Sequence, residues 1–165
     1  MELLLLRHAK SSWDDDSLSD HDRPLAARGR RAADRLAEYF VAEGARPALV
    51  LCSSARRARE TLAPIVAAIG PGVDVRVEEG LYGASAPELL ARVQEAPPAA
   101  TPLLIVGHNP GLHDLALGLA RDAGAELRAK FPTGAVVALD TGGTGWAGLT
   151  WGSAQLTRFI TPRTL

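Results

Sequence analysis

Residues 2–8 read ELLLLRH, four consecutive leucines that stop at Arg7 and His8. A leucine run with no polar face suits a strand buried within a sheet. Arg7 and His8 are costly to bury without partners. They mark either the solvated end of that strand or a place where an anion sits.

Working outward, similar short apolar runs recur at 48–52 (ALVLC), 73–77 (VDVRV) and 102–108 (PLLIVGH). Between them lie helical patterns. Residues 26–44 carry Ala33, Leu36, Ala37, Phe40 and Val41 at helical spacing and stop at Gly44. Residues 53–70 read as a helix capped by Ser53 or Ser54, with Pro64 a kink or an early end. Residues 85–94 open with Ser85 and Glu88 at capping-box spacing, and residues 109–124 form a helix begun by Pro110. Near the C-terminus AVVALD (135–140), WAGLTW (146–151) and AQLTRFI (154–160) read as strands, with TGGTG a turn between the first two. Trp146 and Trp151 then serve packing. Strands alternating with helices predict one α/β domain over residues 1–165, with a central, mostly parallel sheet and helices on both faces.

Composition narrows the function. The chain has 165 residues, 47% of them hydrophobic, and a net charge of -1, so no global basic field exists for nucleic acid. No apolar stretch approaches the roughly 20 residues that cross a bilayer, and ELLLL is too short for a secretory signal. Cys52 is the only cysteine, which rules out an intramolecular disulfide and makes the cytoplasm the expected compartment. A monomer is expected. The chain holds 16 arginines and two lysines, so an arginine earns a role only by its position.

Position is what the strand ends supply. In open α/β sheets, sites form beyond the carboxyl ends of the strands. There the first strand carries Arg7-His8, the second CSSARRARET (52–61), and the fourth Gly107-His108-Asn109. Two histidines and several arginines on one edge fit phosphate, whose oxygens a guanidinium grips as a fork. The four histidines also raise a metal alternative. His108 and His113 stand five apart, off a common helix face, and no carboxylate cluster joins them, so neither a metal nor another cofactor is expected.

In order, LLLLRHAKSSW (3–13), DRPLAARGRRAA (22–33), SSARRARET (53–61) and GHNPG (107–111) resemble the histidine phosphatase superfamily, and within it the SixA-like phosphohistidine phosphatases. The resemblance implies a phosphoglycerate mutase-like fold and a phosphatase that forms a covalent phosphohistidine. Residue by residue, it implies His8 as nucleophile and Arg7 as phosphate clamp. It selects Arg57, which precedes Ala58 and lies four before Thr61, over Arg56 and Arg59. His108 becomes the second histidine facing the phosphoryl group. Ser54, Glu60 and Ala26 replace the family's usual Pro, Gln and Ser or Thr. Larger relatives use a glutamate as leaving-group acid, and Glu79 is the candidate here, with Glu78 beside it. Ser11 and Asn109 are candidate substrate contacts. Asp20, His21, Asp22 and Arg23 read as a loop-ordering network.

The expected substrate is a phosphorylated protein, through phosphohistidine, because the short intervals Thr61–Glu79 and Glu79–His108 leave no roof over a small metabolite. The alternatives are a general phosphomonoesterase of the same superfamily acting on small phosphate esters, and a non-catalytic phosphate- or phosphopeptide-binding domain. Two histidines count against the last, since arginines alone suffice for binding. No nucleic acid or membrane partner is expected.

Overall fold

The computed structural model describes residues 1–165. Strands β1 (Glu2–Arg7), β2 (Leu49–Ser53), β3 (Asp74–Glu78), β4 (Leu103–Gly107), β5 (Val136–Asp140) and β6 (Gln155–Ile160) form one sheet. Its order is β3-β2-β4-β1-β5-β6. The first four in that order run parallel, while β5 is antiparallel to β1 and β6 to β5. Helices α1 (Ala27–Ala42), α2 (Arg56–Ile69), α3 (Ala86–Gln94), α4 (Gly111–Leu119) and α5 (Gly124–Ala129) cover it.

The leucine run of β1 is buried because side chains alternate between faces. Leu4 and Leu6 pack with Leu36 and Phe40 of α1 and Leu62 and Ile65 of α2. Leu3 and Leu5 pack on the opposite face with Leu89 of α3 and Leu112 and Leu115 of α4. The sheet is therefore a two-sided core, as the apolar runs require.

Register sets up the site. Arg7 on β1 pairs with Gly107 on β4, and Cys52 on β2 pairs with Val106. His8 and His108 are the next residues out on β1 and β4, and Ser53, the last residue of adjacent β2, stands one step short of them.

Four local expectations need correction. Residues 146–151 form turns, not a strand. Gly145 and Gly152, on either side of it, have φ of 73° and 69°, which turn the chain out of an extended course. Trp146 is nevertheless buried, donating its indole N–H to the Ala100 carbonyl at 3.0 Å. The half-exposed Trp151 lies against Gly118. The helix over 109–124 is shorter, ending at Leu119, with α5 a separate helix that starts at Gly124. Neither Ser53 nor Ser54 caps α2, because Ser53 stays in β2 and the cap position falls on Ala55. Pro64 neither ends nor interrupts α2, which runs on to Ile69. The Ser85–Glu88 capping box of α3 forms with both reciprocal bonds.

Candidate active site

His8 leaves β1 and is only 7% exposed. Its Nδ1 lies 2.7 Å from the Ala9 carbonyl, which can only accept, so Nδ1 carries the proton. The lone pair is then on Nε2, where Arg57 Nε donates at 3.3 Å. Burial, assisted by His108, Arg57 and Arg7, pushes the His8 pKa down to about 3 against the opposing pull of the Ala9 hydrogen bond. His8 is thus a neutral imidazole with a fixed tautomer, its Nε2 lone pair turned toward Arg57.

The backbone around it is pinned by residues of the sequence motifs. Thr61 Oγ1 accepts from the Ala9 amide at 2.9 Å and donates to the Arg57 carbonyl at 2.7 Å. One hydroxyl thereby ties the residue after His8 to the helix that carries Arg57. Gly29 of α1 faces the next residue, where an added Cβ would sit 2.0 Å from the Lys10 carbonyl oxygen. Gly111 makes the equivalent approach at α4, 2.0 Å from the Ala84 oxygen. Glu60 accepts from the Leu25 amide at 2.7 Å, so a carboxylate here holds the loop before α1.

Arg57 is the hub. Besides His8, it reaches the Asp20 carbonyl through Nη1 at 2.6 Å, Asp20 Oδ2 through Nη2 at 3.0 Å, and His108 Nδ1 at 3.4 Å. Arg56 and Arg59 face outward, to Glu60 and to the Ser54 carbonyl. The His8 and His108 rings stand 5.0 Å apart. Arg57 can only donate, so His108 Nδ1 holds a lone pair and Nε2–H donates to Ser53 Oγ at 2.7 Å. Burial, then the charges of Arg57 and Arg7, push the His108 pKa down to about 4. In this state His108 is neutral, unlike the protonated group a phosphate-neutralising role calls for.

Arg7 Nη1 donates to the Phe131 carbonyl at 2.9 Å, while its Nε is buried with no acceptor. Asn109 Nδ2 shares that carbonyl at 2.9 Å, and its Oδ1 is likewise buried without a donor. Unpaired buried polar atoms are expensive and rare. An oxyanion beside Arg7 satisfies the first of them. The sole thiol, Cys52, is pushed up to about 12 by burial and is no competing nucleophile.

The other candidates fall differently. The Ser11 hydroxyl accepts from Arg23 Nη1 at 2.8 Å and makes no bond to the central residues. Arg23 itself grips Asp20 Oδ1 and lies under the Trp13 ring, 3.4 Å from its centroid. Glu79 is exposed, in a 3₁₀ turn over Glu79–Leu81, and its side chain has no hydrogen bond. Glu78 pairs with Arg92. The side chain that does reach inward from this segment is Tyr82, unremarked in the sequence. Its hydroxyl donates to Asp20 Oδ2 at 2.5 Å, and its ring stands edge-on to His108 at 5.5 Å. Asp20 extends beyond loop ordering, since its carboxylate joins Arg23, Arg57 and Tyr82. Tyr82's hydrogen bond, with those of the two arginines, holds that carboxyl well below the usual range. The signal for Tyr82 was its place just past the end of β3, on the edge the strand-end rule designates.

The pattern of the histidine phosphatase superfamily (branch 1) matches residues 3–86. An uncharacterized protein of Mycobacterium tuberculosis is 38% identical over 164 residues, 96% of this chain and 100% of that one. The structure of a candidate phosphohistidine phosphatase SixA from Nakamurella multipartitia is similar with TM-score 0.81 at 35% identity, covering 98% of this chain and 95% of that one. Another candidate SixA, from Agrobacterium tumefaciens, gives TM-score 0.82 at 27% identity, with 98% and 97% covered. The chain belongs to the histidine phosphatase superfamily, with its phosphoglycerate mutase-like α/β fold. Within that superfamily it is SixA-like.

Proposed function

We propose that this chain hydrolyses protein-borne phosphohistidine through a covalent intermediate on His8. The observation that carries the reading is the neutral, tautomer-fixed His8, its Nε2 facing Arg57, with His108 alongside and Arg7 Nε lacking an acceptor. In the first step His8 Nε2 attacks phosphorus. The N–P bond to the substrate imidazole breaks, and that ring leaves with the electron pair as a neutral imidazole once its other nitrogen is protonated from solvent. Arg7 and Arg57, with the second Nδ2–H of Asn109 as a further donor, hold the equatorial oxygens as charge gathers on them. In the second step water attacks, the electron pair returns to His8 Nε2, and the water proton passes to the departing phosphate or to His108 Nδ1.

The N–P preference rests on the lack of a suitable acid. Asp20 is the carboxyl group bonded to Arg57, and its three donors keep it ionised. Glu79 makes no bond to the site. Without an acid, an alkoxide leaves poorly, whereas a protonated imidazole leaves well. No three His, Cys, Asp or Glu side chains converge as a metal site requires, so the cations of the reaction are taken to be arginines. The test is a side-by-side assay with phosphohistidine peptide, an activated aryl phosphate and small sugar phosphates, with and without chelator. The reading expects turnover of the first two, unaffected by chelator. Sugar phosphates turned over at least as fast as phosphohistidine would make the enzyme a general phosphomonoesterase.

A further inference from the structure

Beside the site lies a groove of about 800 Å³ whose walls include Lys10, Arg28, Arg35, Lys130 and Arg163, against a single carboxylate, Glu126. This concentration is not a by-product of arginine-rich composition. Eleven of the chain's eighteen lysines and arginines are engaged through side-chain hydrogen bonds or ion pairs, which leaves seven free. Five of those seven line this one groove, and all five are exposed, on a molecule of net charge -1.

The groove shares the edge of the sheet with His8. Lys10 is two residues beyond it. Lys130 adjoins Phe131, whose carbonyl holds Arg7 and Asn109. The Gly134 amide donates to the Arg7 and His8 carbonyls. Strand β6 runs in the direction of β1, so Thr161–Thr164 emerge at the same edge. A chain lying in the groove is continuous with one whose phosphoryl group reaches His8.

We infer that this groove seats an acidic segment of the same protein that carries the phosphohistidine, and so selects the substrate by charge. The inference rests on the proposed phosphatase reading. A free small anion fits poorly, because the five cations come from four segments, with Arg28 and Arg35 two turns apart on α1, and all five are exposed. Nucleic acid also fits poorly, since Phe159 is the only aromatic side chain along the groove and no stacking platform exists. Exposed cations over a floor of Ala32, Phe159, Pro132 and Pro162 match a peptide surface that mixes carboxylates with apolar side chains.

The test uses two phosphohistidine peptides, one flanked by glutamates and one by serines, together with an activated aryl phosphate. The wild-type enzyme should favour the acidic peptide by about tenfold or more in kcat/KM, and that preference should fade between about 0.05 and 0.5 M salt. Arg28→Glu/Arg35→Glu/Lys130→Glu should abolish or invert the preference while aryl phosphate kcat/KM stays within about threefold at 0.15 M salt, which also reports an intact fold. An unchanged preference, or equal losses on all three substrates, overturns the groove. Competition by an RNA oligomer but not by polyglutamate also overturns it. If the wild-type enzyme hydrolyses none of the three, the phosphatase reading itself falls. If it hydrolyses aryl phosphate and both peptides without preference, the groove alone falls.

Discussion

Arg57 shows how much one position within a helix decides. Its two neighbours of the same type, Arg56 and Arg59, point to solvent, whereas Arg57 is 6% exposed and touches both histidines and Asp20. Removing it should cost on the order of 2–4 kcal/mol of transition-state stabilisation, comparable to losing an oxyanion donor. Arg57→Ala should therefore lower aryl phosphate kcat/KM by about 30- to 10³-fold, and Arg56→Ala and Arg59→Ala should change it little. Arg57→Lys should rescue only partly, because an ammonium cannot span His8, His108 and a phosphoryl oxygen at once. Equal effects for all three alanine variants would reduce the helix to a diffuse basic surface. Glu79 belongs at the same scale. Exposed and unbonded, it should be silent, with Glu79→Gln changing turnover of both phosphohistidine peptide and aryl phosphate by less than about threefold. A selective loss on alkyl phosphates of 10²-fold or more would restore it as an acid.

Between elements, the site depends on close backbone approaches. Gly29 lets α1 lie on the Lys10 carbonyl, and any Cβ there must push the helix and the loop after His8 apart. Gly29→Ala should destabilise the fold by about 1–3 kcal/mol, as overpacking does. It should also lower kcat at least tenfold by moving His8 off line. Equilibrium unfolding and steady-state kinetics on the purified variant separate the two effects. A stability loss with unchanged kcat would show that the nucleophile loop does not rely on this contact. What the sequence disclosed follows the same physics. Runs such as ELLLL and PLLIV read clearly because strands covered on both faces have no polar register to confuse them. The convergence of Arg7, His8, Arg57 and His108 on one edge was legible because each stands at or shortly after a strand end within an ordered motif. Asp20 and Tyr82 did not, since they meet across 62 residues of chain from two loops, where no periodicity operates. WAGLTW imitated a strand because its large apolar residues mask the flanking Gly145 and Gly152, whose positive φ turns the chain.

For the whole molecule, two buried neutral histidines make stability depend on pH. Unfolded histidine titrates near ~6.5, while His8 and His108 fall to about 3 and about 4 in the fold. Between those values the unfolded chain binds more protons than the native one, so native stability declines as pH falls from about 6.5 towards about 4. The urea midpoint should drop across this window, and His8→Asn with His108→Asn should flatten the drop. An unchanged slope in that double variant would contradict the neutral assignment. No helix of the chain is long and apolar enough to cross a membrane. The assembled edge acts as a unit, with β1 delivering His8, β4 delivering His108 and α2 delivering Arg57. What it is proposed to do is carry a phosphoryl group on His8 for part of each turnover. The direct measurement is rapid mixing with phosphohistidine peptide, quenching without acid, and mass spectrometry of the digested enzyme. Phosphate is expected on His8, stable to alkali and lost in acid, and absent from His8→Ala. Unmodified His8 during rapid turnover, or phosphate trapped on another residue, contradicts it.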